Sequence, residues 1–169
     1  MKKLFLISVM LQIFLSVYGP GTQKDPAETI ENWLSNSAPL TPVTLKLAMD
    51  LNMLIAPEVV MAQSILETGH YRSDLYLMHN NLFGMKKARV RTTTAIGSTE
   101  NDYASYQSWY DSVRDMGLFQ QWYLTRGRNL SDYLVFLDTI GYAEDPLYIP
   151  KIEKLCSRLR QLREHSGAV

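Results

Sequence analysis

The stretch AQSILETGHYRSDLYLMHNNLFGMK, residues 62–86, places its one glutamate, Glu67, at the end of an apolar helical run. Pro57 suits the first position of that helix, and Val59, Ala62, Ile65 and Leu66 supply its predicted buried stripe. Gly69 is the natural residue to end it in the left-handed conformation. Glu67 then falls in the last turn, where the helix macrodipole places partial negative charge and opposes a carboxylate anion. Apolar neighbours that limit hydration add to this and push the carboxyl pKa upward, as a general acid requires. The position alone fits equally well a Glu67 that binds a nearby amide or faces water. A short helix is predicted from Ser73 to Met78, and the character of the sequence changes at Asn80-Asn81.

Working outward, Asp25-Pro26-Ala27-Glu28 and Thr41-Pro42 each combine a capping side chain with proline at the first helical position. Leu47, Leu51 and Leu54 predict the face of the helix after Thr41. Downstream, Arg89-Val90-Arg91-Thr92-Thr93-Thr94 is rich in β-branched residues, Gly97 to Asp102 carries turn residues, and Tyr103-Ala104-Ser105-Tyr106 alternates aromatic with small. These predict a two-stranded lobe. Ser108 and Asp111 form a capping pair for a helix carrying Trp109, Val113, Met116 and Phe119, in which Trp109 is expected to be core. Leu130, Leu134 and Leu137 mark a further helix closed by Gly141, and Ile152, Leu155, Leu159 and Leu162 mark the last. The expected fold is mainly α, or α+β if the hairpin is counted: six or seven helices and one small β lobe in a single domain over residues 22–169.

Met1-Lys2-Lys3 followed by the apolar run Leu4–Val17 and Gly19-Pro20-Gly21 reads as a secretory signal over residues 1–21, so the protein is expected in the periplasm or outside the cell. The 169-residue chain is formally neutral, and without Lys2 and Lys3 it keeps 15 basic against 17 acidic residues. That balance excludes a nucleic-acid binder that works through a basic field. Cys156 is the only cysteine, so no internal disulfide forms, and it is expected to be buried on the last helix. His70 and His79, with Asp74 between them, match no compact metal-ligand spacing. The sequence holds no phosphate loop and no nucleophile elbow, and no metal or cofactor is expected.

Amides and aromatic faces cluster after Glu67: Asn80-Asn81-Leu82-Phe83-Gly84, Tyr103 and Tyr106, Trp109 and Tyr110, then Gly141-Tyr142-Ala143-Glu144-Asp145-Pro146. Pyranose rings need such groups, since their CH faces stack and their hydroxyls hydrogen-bond. Ala62–Gly69, Asn80–Lys86 and Gly141–Pro146 with Tyr148 resemble, in order and spacing, the signature blocks of the bacterial glucosaminidases of glycoside hydrolase family 73, across about residues 55–160. The resemblance implies a lysozyme-like helical fold with a β lobe over a glycan groove, and an endo-acting enzyme that cuts peptidoglycan on the reducing side of N-acetylglucosamine. It implies Glu67 as the catalytic acid, Tyr142 as the active-site tyrosine, and Asn81 and Phe83 as the turn that lines the groove. Tyr106 is expected to bind substrate beside them. The sequence departs from the pattern at the second carboxylate, which many members place after a run of threonines: here Thr92-Thr93-Thr94 is followed by Ala95. Glu100 and Asp102 in the predicted turn are the nearest substitutes, and Glu100 is the one chosen.

Two other readings share these residues. A lytic transglycosylase would use one glutamate and leave an anhydro product, and a non-catalytic peptidoglycan-binding protein would keep the groove alone. The expected partners are peptidoglycan glycan strands and, because no wall-binding repeat is present, a delivery or envelope protein. The chain is expected to act as a monomer.

Overall fold

The computed structural model describes residues 25–166, so the predicted signal over residues 1–21 lies outside the described residues. In chain order the elements are α1 (Pro26–Asn36), α2 (Pro42–Leu51), α3 (Pro57–Glu67), α4 (Asp74–His79), β1 (Gly97–Ser98), β2 (Ala104–Ser105), α5 (Trp109–Leu124), α6 (Tyr133–Thr139) and α7 (Tyr148–Ser166). The described residues divide into two compact units, one up to Ser37, which holds α1, and one from Ala38 onward, which holds every other element. Among the described residues no helix is long and apolar enough to cross a membrane.

Capping side chains set the helix starts. In the first unit the Ala27 amide donates to Asp25 Oδ1 at 2.9 Å, with Pro26 at the first position of α1. In the second unit, Thr41 and Thr44 satisfy each other's amides in a reciprocal box at the start of α2. The Asp111 amide donates to Ser108 Oγ at 3.2 Å at the start of α5. These are amides that a helix end otherwise leaves without an acceptor. At the other end of α3, Gly69, His70 and Tyr71 all take positive φ, at 54°, 61° and 63°. The His70 amide returns to Ile65 O at 2.8 Å, and the Tyr71 amide donates to Thr68 Oγ1 at 2.8 Å.

The predicted apolar stripe of α3 is out of phase with the buried face. The residues inside are Val60, Ala62, Gln63 and Ser64, while Val59, Ile65 and Leu66 are only partly covered. Two polar side chains turn inward because partners await them. Gln63 Nε2 donates to the Tyr148 hydroxyl at 3.2 Å, and Ser64 Oγ bonds Met61 O at 2.7 Å and the Tyr71 hydroxyl at 3.0 Å. On α2 the buried residues are Thr44, Leu45, Ala48 and Met49, with Leu47 and Leu51 at its margin. α7 packs along α3 through Ile152 and the buried Cys156, whose Sγ lies 3.7 Å from Glu58 O. α5 packs on α2 and the loop after it, where the buried Gln120 amide pairs both with the Ile55 amide, at 2.7 Å, and with the Ile55 carbonyl, at 3.1 Å. Trp109 is core: its Nε1 donates to Ala38 O at 2.9 Å.

The lobe differs from expectation in its first strand. Pairing runs Gly97↔Ser105 and Ser98↔Ala104 around a turn at Thr99–Asp102, and the other edge of β2 meets the chain through Lys86↔Tyr103. Arg89–Thr94 forms no strand. Its polar groups are drawn to α5 instead. The Arg91 guanidinium grips the fully buried Asp115 at 2.6 and 3.1 Å, Thr94 Oγ1 donates to Asp111 O at 2.6 Å, and the Thr94 amide reaches Asp115 Oδ1 at 3.4 Å.

Candidate active site

Glu67 is the last residue of α3, so its side chain leaves the helix where the chain turns away. Its carboxylate lies against the Asn81–Gly84 turn: a Cβ added to Gly84 would stand 2.7 Å from Glu67 Oε2. Gly84 also has φ +63°, a conformation in which a side chain is strained. Both facts demand glycine. Gly84→Ala is therefore expected to lower stability by about 1–2 kcal/mol through the backbone. It is also expected to cut turnover about 100-fold by displacing the carboxylate. Chemical unfolding and reducing-end release check the two effects, and unchanged turnover would refute the close approach.

The turn itself is held by Asn81. Its amide nitrogen donates to Met85 O and Ala104 O, both at 2.9 Å, and its Oδ1 accepts the Phe83 and Met85 amides, both at 3.2 Å. The Leu82 amide donates to Ser112 Oγ at 3.1 Å. Asn81, Phe83 and Tyr106 are 1%, 0% and 3% exposed, and Tyr106 gives its hydroxyl proton to Asp115 at 2.7 Å. These three side chains, expected to bind substrate, are turned into the protein. Asn81 has all its hydrogen-bonding capacity committed inside the protein, Phe83 is enclosed, and the Tyr106 hydroxyl serves the Arg91–Asp115 pair. They build the wall that positions Glu67.

Tyr142 follows Gly141, whose φ of +60° turns the chain out of α6. Its hydroxyl donates to Phe83 O at 2.8 Å, so the loop after α6 is tied to the same turn. The Tyr142 ring meets Phe119 edge-on and lies tilted over Tyr148 at 5.8 Å. Burial, then Tyr148 and Glu67, push the Tyr142 hydroxyl far above the ordinary tyrosine range, and burial and Glu67 push Tyr148 up. Both phenols are neutral at any working pH. Burial likewise raises the pKa of Glu67, and the Tyr148 hydroxyl offsets part of the rise. An open cleft lined by Tyr142, Glu144, Asp145 and Tyr148 runs beside this group.

The structure thus brings Glu67 and Tyr142 together and adds Tyr148, which sequence reasoning quoted without giving it a role. It does not bring Glu100 to them. Glu100 is exposed in the turn between β1 and β2 and makes no hydrogen bond or ion pair with a described residue. Gln63, Arg91 and Asp115 were missed as members of the supporting structure. The spacing of Gln63 and Glu67, one helical turn apart, is the signal that would have found the first.

A half-buried carboxyl with a raised pKa, beside neutral phenols and an open cleft, can protonate the leaving oxygen of a glycosidic bond. A family model described as Glucosaminidase, mannosyl-glycoprotein endo-beta-N-acetylglucosaminidase, matches residues 46–161, more than half of the chain. The chain belongs to the glucosaminidase family. As a glucosaminidase it is a glycoside hydrolase that acts on peptidoglycan. Every residue of the Glu67 group lies inside the matched span. A similar solved structure is the catalytic domain of the autolysin Auto from Listeria monocytogenes, 19% identical over 88% of this chain and 93% of that one, with a TM-score of 0.46. No curated protein gives a significant match.

Proposed function

We propose that this glucosaminidase cleaves β-N-acetylglucosaminyl bonds within the glycan strands of peptidoglycan with Glu67 as general acid. The observation that carries this reading is the placement of the Glu67 carboxylate against Gly84, at a site where burial favours its protonated form. Tyr142 spends its proton on Phe83 O and so offers only oxygen lone pairs to a neighbour, which suits a positively charged oxocarbenium-like transition state. A basic and apolar N-terminal run supports export to the periplasm or the outside, where the polymer lies.

Two chemistries complete the cleavage from this arrangement. In one, the β1–β2 turn carries Glu100 to the substrate as base for an attacking water. In the other, the 2-acetamido oxygen of the substrate attacks the anomeric carbon, and Glu67 is the only essential carboxylate. The exposed position of Glu100, which makes no hydrogen bond or ion pair with the Glu67 group, favours the second. Digestion of purified peptidoglycan, borohydride reduction and mass spectrometry test the activity: fragments ending in N-acetylglucosaminitol are expected. Anhydro ends, which resist reduction, would convert the reading to a lytic transglycosylase. Binding with no release of ends would leave a binding protein. Glu100→Gln is expected to retain turnover if the acetamido route operates.

A further inference from the structure

A row of half-buried rings leads from Tyr142 along α5. Phe119 meets Tyr142 edge-on at 5.9 Å, Tyr123 meets Phe119 at 5.1 Å, and Trp122 meets Tyr123 at 4.8 Å. The row ends in a cation: the guanidinium of the exposed Arg126 lies over the Trp122 ring, 3.9 Å from its centroid. Arg126 Nη1 donates to Trp122 O at 3.2 Å, a carbonyl near the end of α5, where the helix dipole favours a cation. The remaining N–H groups of Arg126 have no acceptor among the described residues, and it forms no ion pair with any of them. Arg128 is exposed and likewise forms no ion pair with a described residue. The Trp122 Nε1 is covered and also lacks an acceptor. Donors gather at this corner with nothing in the described chain to receive them.

We propose that Arg126, seated on Trp122, is a substrate-binding residue that takes a carboxylate of the peptidoglycan strand. This rests on the reading of the Glu67 cleft as the place where the strand is cut. A guanidinium held on a ring face has already given up much of its side-chain freedom, so its planar fork meets a planar carboxylate with little further ordering. Such a pair is charge-assisted and can form two parallel bonds. The rings between fix where the shelf sits. Phe119 is packed between Tyr142 on one side and Tyr123 and Phe136 on the other, so the shelf keeps a set distance from the cleft beside Tyr142. A strand bound across the cleft carries carboxylates on its peptide stems and, where a stem has been removed, on the lactyl group of the sugar. The chain is formally neutral and has no general attraction for an anionic polymer. Selection for the charged strand then falls to a local contact such as this one.

The test compares kcat/KM on soluble peptidoglycan strands with that on the same strands after carbodiimide and ammonia have turned their carboxyl groups into amides. The full chain is expected to use the acid form about fivefold better, through KM, as one charge-assisted pair at an exposed site allows. Arg126→Gln is expected to abolish that preference, and Arg126→Lys, which keeps the charge without the planar fork, to keep less than half of it. Arg158→Gln, which removes an exposed charge from α7, is expected to keep it in full. Repeating the comparison on strands stripped of stems by an amidase separates the sources: a surviving preference assigns the lactyl carboxylate, and a lost one assigns the stems. Calorimetric binding of the acid and amide forms to Glu67→Gln reads the same preference without turnover. Equal use of both forms by the parent, a preference kept in Arg126→Gln, or one lost in Arg158→Gln would overturn the shelf. A binding preference in Glu67→Gln together with no cleavage by the parent would strike the reading of the activity and leave the shelf standing.

Discussion

Glu67→Gln is expected to reduce the release of reducing ends from peptidoglycan by about 1,000-fold, within the range that a positioned general acid contributes. Glutamine fills the same space against Gly84, so the fold and the cleft survive while the transferable proton does not. Stability should move the other way. Burial raises the folded-state pKa of Glu67 above its unfolded value. For a carboxyl shifted in that direction, the favourable contribution is complete below the unfolded pKa and is lost as pH rises through the folded pKa. Once pH has risen through the folded pKa, the parent carries the cost of an ionised, partly desolvated carboxyl, and the variant does not. The melting temperature of Glu67→Gln relative to the parent is expected to rise as pH increases from 4 through the folded pKa of Glu67. Turnover within tenfold of the parent would exclude Glu67 as the acid, and a pH-independent difference in melting would contradict its burial.

The largest expected loss of stability belongs to Asp115→Ala. Asp115 is buried in the second unit, and the Arg91 side chain that it pairs with is nearly so. Truncation leaves the guanidinium enclosed without a counter-charge, and Tyr106 and Thr94 lose an acceptor as well. Breaking such a pair costs about 3–5 kcal/mol. Guanidinium-induced unfolding should show that loss as a lower midpoint at unchanged slope. The variant Arg91→Met with Asp115→Leu should recover much of it, because a buried ion pair is often matched by well-packed apolar residues. A loss under 1 kcal/mol in Asp115→Ala would mean that Arg91 simply swings into water.

Local signals were the legible ones. Pro26, Pro42 and Pro57 each open a helix as read, Ser108 caps α5, and Gly69 and Gly141 take the left-handed geometry expected of helix ends. The placement of Glu67 at the end of α3 followed from these marks. Burial was less legible. Apolar periodicity put Ile65 and Leu66 inside α3, yet Gln63 and Ser64 took those places because partners far along the chain, or across a strained loop, satisfied them. The β-branched run at Arg89–Thr94 has strand propensity, but one arginine with a buried acid waiting on α5 decided its path. Asn81, Phe83 and Tyr106, expected to bind substrate, lie buried beside Glu67 with their polar atoms bonded within the protein. Nothing in a residue type tells whether its polar atoms are spent inward or outward.

The saturation of Asn81 has a consequence for how this enzyme fails on heating. Three of its four bonds close the turn at residues 81–85 and the fourth ties that turn to Ala104 of β2, so together they fix the ledge on which Glu67 rests. Ordering of the reactive geometry is therefore completed when the chain folds and need not be repeated at each encounter with a strand. An enzyme built this way has little room to lose activity by degrees through a loosened site. Inactivation and collapse of the helical circular-dichroism signal should trace one common curve with temperature, rather than a gradual decline that precedes unfolding.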